Sequence, residues 1–169
     1  KQFEGEHSLK SEWLPALNDG LARAGAEPAL QQDFTCAFYG DLFRPTGKSA
    51  LLPPFDATDI SDALEQEVLD SWWHEAARIE PQVRGPQETT KLWMPQTVQR
   101  ALNALSRSTF FSGLAENALI FDLKQVVRYL QDDHIHQEAQ ARVKAMISPD
   151  TRVLIGHSLG SLVAYETLC

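Results

Sequence analysis

The amino-acid sequence predicts an α/β protein, and three observations carry that reading. A short apolar run, Thr151–Ile155, leaves a Ser-Pro-Asp turn, meets a serine bracketed by glycines and passes into a helical continuation. A second run, Phe34–Tyr39, is rich in aromatic and β-favouring residues and ends at Gly40. It does not alternate, so it reads as a strand buried on both faces. Several segments between these runs repeat apolar residues at the helical spacing.

Along the chain, Leu9, Trp13, Leu17 and Leu21 place one apolar stripe on a helix that Ser8 or Ser11 could cap, with Gly25 and Pro28 closing it. Pro15 belongs in its first turn or marks a kink, because its ring removes a donor and crowds the preceding turn. After the Phe34–Tyr39 strand, Arg44–Phe55 has neither period and reads as a loop. From Asp59 a helix carries Ile60, Leu64, Val68, Trp72, Ala76 and Ile79 on one face, with Asp59 or Ser61 as cap. The Trp72-Trp73 pair reads as one core anchor and one half-exposed neighbour. Pro81–Pro95 is a connection, followed by a helix over Gln96–Leu105. Further helices are expected over Glu116–Leu130 and His136–Met146, before the Ser148-Pro149-Asp150 turn.

Composition narrows the function. The chain has 169 residues, enough for one domain with a substantial core. A net charge of -8 and the lack of a basic stripe argue against a nucleic-acid partner. The longest mostly apolar stretch, Ala118–Leu130, is interrupted by Asp122, Lys124, Gln125 and Arg128, so no transmembrane segment is expected. Cys36 and Cys169 are too few for a disulfide framework and lack zinc-ligand spacing; they read as reduced thiols of a cytoplasmic protein. The opening at Lys1 rather than Met suggests a piece of something longer, which leaves a signal peptide open.

The chemistry concentrates at Gly156-His157-Ser158-Leu159-Gly160. A serine hydroxyl is a weak nucleophile and must stand where a base can reach it. A tight turn achieves this by holding Ser158 in a strained backbone conformation that costs ~1–3 kcal/mol. Glycines two residues before and two after remove the β-carbons that would collide across that turn. The helix that follows then points its positive end, and the amide of Leu159, at a developing oxyanion. The expected conformation is a positive φ at Ser158. Of the histidines, His157 reads as a packing residue and His74 as a helix-surface residue. His134 and His136 are two apart, which does not put both on one helical face, so no metal is expected there. His7 lies far toward the N-terminus.

Val153–Glu166 resembles the nucleophile elbow of the α/β-hydrolases, in the lipase, esterase and thioesterase neighbourhood. More weakly, Lys1-Gln2-Phe3-Glu4-Gly5-Glu6 with the Trp13-Leu14 helix resembles the segment that follows a His-Gly-x-Gly oxyanion turn, which would lie upstream of Lys1. The resemblance implies a three-layer α/β/α fold with a mostly parallel sheet, incomplete within residues 1–169. It also implies acyl-ester hydrolysis. Ser158 would attack the carbonyl, Leu159 would give one oxyanion amide, and a histidine after the nucleophile would take the proton. The residues after Ser158 contain no His or Asp, so the triad is incomplete. No cofactor or metal is implied, and the partner is a small acyl-ester or lipid substrate. Residues 44–111 are long for a connection and carry two helical patterns. They are read as a helical lid or insertion whose Trp93, Phe110 and Phe111 line a candidate acyl pocket. Two alternatives stand. Leu162–Glu166 also resembles the helix after the elbow of acyl thioesterases, and a hydrolase-like domain without its histidine would only bind.

Overall fold

The computed structural model describes residues 5–44, 54–86, 94–111 and 113–169. Their elements are α1 (Glu6–Arg23), α2 (Ala63–Ile79), α3 (Pro95–Leu105), α4 (Glu116–Gln131), α5 (Asp133–Met146) and α6 (Leu159–Leu168). Short 3-10 turns lie at Gln31–Asp33, Gly40–Phe43 and Ala57–Asp59. The chain divides into two compact units. The first comprises Lys1–Ala50 and Asp132–Cys169, and the second Leu51–Gln131.

The second unit is built on its own core. Asp62 caps α2, its carboxylate accepting from the amides of Leu64 (2.8 Å) and Glu65 (3.4 Å). Asp59, expected as that cap, is used one turn earlier, where it accepts from the Asp56 amide at 2.8 Å. The apolar stripe of α2 is turned by one residue from the expected register. Leu69 and Trp73 are buried, whereas Val68 and Trp72 are half-buried. The Trp73 ring N–H explains the choice, since it donates to the Arg84 carbonyl at 2.6 Å and is thereby satisfied inside. Pro95 opens α3 at a position where no amide is needed. Val98, Ala101, Leu102 and Leu105 of α3 meet the α2 face, and Leu119, Ile120 and Leu123 of α4 complete the core. Each fully buried leucine there stabilises the fold by about 1.5–3 kcal/mol.

In the first unit α5 packs against α6, with Ile135, Ala139 and Val143 on one helix and Leu159 and Val163 on the other buried. The Asp132 carboxylate caps α5 by accepting from the amides of His134 and Ile135, each at 3.1 Å. Arg142 of α5 donates to the carboxylates of Glu138 and Asp41 and to the Phe38 carbonyl, tying the 34–43 segment to the helix. The α1 helix contains no buried residue, and Pro15 sits in its interior rather than in its first turn. It ends at Gly25, whose φ of 69° lets the Ala26 amide reach back to the Leu21 carbonyl at 2.9 Å.

The α/β expectation is corrected. The described residues form no β-strand and no sheet, so the fold is all-α rather than a three-layer α/β/α arrangement. Phe34–Tyr39 and Thr151–Ile155 are extended at most, without a ladder partner. A strand exists only when another strand satisfies its amides and carbonyls. Val153 is 72% and Ile155 50% exposed, the reverse of a central parallel strand.

Candidate functional site

The Gly156–Gly160 turn is strained at one residue. Ser158 has φ 54° and ψ -129°, and among the described residues it is the single non-glycine residue with positive φ. It stands at the N-cap of α6 with no side-chain capping bond, so its hydroxyl is not used to close the helix. The turn is fixed by the backbone, through Gly160 N–H to the His157 carbonyl and Ser161 N–H to the Ser158 carbonyl, both 2.9 Å. The Leu159 amide opens the helix, where no intrahelical acceptor exists, and the positive helix end lies beside it.

Space excludes a side chain at Gly156 and is tight at Gly160. A β-carbon on Gly156 would lie 2.6 Å from the Gly160 carbonyl oxygen and 2.7 Å from Ser161 Cα, closer than any real contact. A β-carbon on Gly160 would lie 3.2 Å from the Tyr39 hydroxyl. Tyr39 therefore borders the turn, a neighbour that sequence reasoning missed because residue 39 was assigned to a strand. Burial pushes its phenol up to about 12.

The other groups are placed as follows. The His157 ring packs edge-on against Trp13, centroids 6.0 Å apart. His136 Nε2 lies 3.3 Å from the Glu166 carboxylate and 2.7 Å from Gln140 Nε2, between α5 and α6. Glu166 is thus engaged two turns along α6 from Ser158. Phe110 and Phe111 belong to the second unit. Phe111 is buried and packs on Trp72 at 5.4 Å, while Phe110 is 58% exposed. Trp93 lies outside the described residues. Among the described residues no group of three or more His, Cys, Asp or Glu could hold a metal ion, and no helix is long and apolar enough to cross a membrane.

No family model, no curated protein and no solved structure matches the chain. The helical architecture of the described residues, which form no sheet, overturns the assignment to the α/β-hydrolases that the elbow motif suggested. What persists from that motif is local: two space-limited glycines, a strained serine and a helix N-terminus.

Proposed function

We propose that Ser158 is the nucleophile of a serine hydrolase that cleaves small carboxylic esters through an acyl-enzyme. The observation that supports this most is the Ser158 backbone at φ 54°, ψ -129°. A conformation costing ~1–3 kcal/mol persists only where the surroundings over-determine it, and such residues gather at reactive sites. The reading needs no sheet, because strain, glycine spacing and helix amides act within a few residues. In the step proposed, Ser158 Oγ attacks the ester carbonyl and the alcohol leaves with a proton. The Leu159 amide donates to the oxyanion, a contribution of about 3 kcal/mol in comparable sites. His157 packs against Trp13 and His136 lies against Glu166, so neither is placed as the general base. The free thiols Cys36 and Cys169 suit a cytoplasmic setting.

A fluorophosphonate probe tests the nucleophile directly. Slow, stoichiometric labelling is expected at Ser158 and none in Ser158→Ala, with p-nitrophenyl butyrate turnover by residues 1–169 near background and raised by added imidazole. Equal labelling of both proteins overturns the assignment.

A further inference from the structure

The second unit holds a cavity of about 420 Å³ between α2 and α3, within the ~300–1,000 Å³ usual for small-ligand sites. Arg84, Arg100 and Arg107 line it together with Trp73, Thr97 and Asp70. Thr97, Arg100 and Arg107 recur three and seven residues apart, so α3 and the turn after it present them along one face. Arg84 comes from the segment after α2, and its carbonyl is held by the Trp73 ring N–H at 2.6 Å.

What sets these three arginines apart is that, among the described residues, they line one cavity without an ion-pair partner, whereas three other cations of the fold are paired. Arg78 pairs with Glu75, Lys124 with Glu65, and Arg142 with Asp41 and Glu138. Among the described residues no carboxylate forms an ion pair with Arg84, Arg100 or Arg107. Asp70, the one carboxylate lining the cavity, lies 3.3 Å from His74 instead. Three guanidiniums against one carboxylate leave two positive charges uncompensated around a concave surface.

We propose that this cavity binds a phosphomonoester, its dianionic phosphate held by Arg84, Arg100 and Arg107 and its organic body lying along Trp73 and Pro86. Guanidinium forks match phosphate oxygens bidentately, and a dianion neutralises the excess charge. The Thr97 hydroxyl adds a neutral donor. Asp70 disfavours anions that reach past the arginines, which limits the site to a compact head.

Calorimetric titration of the full chain at low ionic strength, with inorganic phosphate and with phenyl phosphate, tests the site. Saturable one-to-one binding is expected, tighter for phenyl phosphate. Arg100→Gln and Arg107→Gln are each expected to weaken it at least tenfold, and Arg128→Gln, on α4 and outside the cavity lining, to leave it unchanged. Both cavity arginines are exposed, so circular dichroism and Tm should match the wild type. Sedimentation with phosphatidic-acid vesicles separates a soluble phosphate from a lipid headgroup, and no co-sedimentation is expected. The proposal is overturned by no saturable binding of either probe, by unchanged affinity in both arginine variants, or by capture on vesicles without binding of phenyl phosphate.

Discussion

Ser158 and Gly156 set opposite demands on the same turn, and substitution separates them. Ser158→Gly removes a β-carbon from a backbone region that glycine adopts freely, and no capping bond is lost. A net gain of about 1 kcal/mol is expected after glycine's added unfolded-state entropy, seen as a Tm rise on the order of 2–4 °C. A fall in Tm would mean that Ser158 is not strained. Gly156→Ala should do the reverse, since its methyl would sit 2.6 Å from a carbonyl oxygen that belongs to backbone and cannot swing away. A loss of roughly 1–3 kcal/mol in chemical denaturation is expected. Tyr39 offers a pH signature. Its phenol is raised to about 12 by burial, above the ordinary 10. The folded state therefore holds this proton more tightly than the unfolded state. The corresponding stability is complete below pH 10 and is lost as pH rises through about 12. In a spectrophotometric titration the tyrosinate band of Tyr39 should emerge near pH 12 and be absent in Tyr39→Phe; a midpoint at 10 would show an exposed ring.

Among the elements, helices were legible because their signals are local. The apolar stripes of α3 and α4 repeat within a turn or two along the residues they organise. Caps were less legible, since Asp56, Asp59 and Asp62 are chemically equivalent candidates and the choice depends on which partner each finds. Asp62 prevails because Glu65 returns a bond to its amide while also meeting Lys124 Nζ at 2.7 Å. Asp62→Ala should cost about 1–2 kcal/mol, and Asp59→Ala less, because its turn is only three residues long. Equal losses in urea denaturation would argue against the assigned cap. Strands were misread for the complementary reason. Val153–Ile155 has the composition of a buried strand, but composition cannot supply the neighbouring chain that would pair with its amides. The Ser158 turn stayed legible because glycine spacing and a helix start suffice to specify it.

At the scale of the molecule, burial is unevenly distributed between the two units, and local stability should follow it. The large apolar cluster from Ala57 to Val127 lies within Leu51–Gln131, with Leu69, Leu102, Leu105, Ile120 and Leu123 all but inaccessible. In the first unit α5 and α6 share a smaller buried set, and α1 has no fully buried residue, its Leu9, Trp13, Leu17 and Leu21 being half-buried. An amide is protected by the apolar contacts that must break to expose it, so opening energies run from near zero at a weakly packed helix to the global value in a core. For α1 the Asn18 side chain adds a clasp, donating to and accepting from the Ala29 backbone at 3.2 and 2.8 Å, which restrains the helix end without burying its face. Hydrogen exchange followed by mass spectrometry should therefore rank peptides from α2, α3 and α4 slowest, α5 and α6 next, and Glu6–Arg23 fastest. Leu102→Ala, which opens a cavity where no solvent reaches, should cost about 2–5 kcal/mol and speed exchange across α2, α3 and α4 together. Loss of protection confined to α3 would show that the three helices do not share one core. Protection of α1 equal to that of α2 would show that its half-buried stripe is packed as firmly as the core of the second unit.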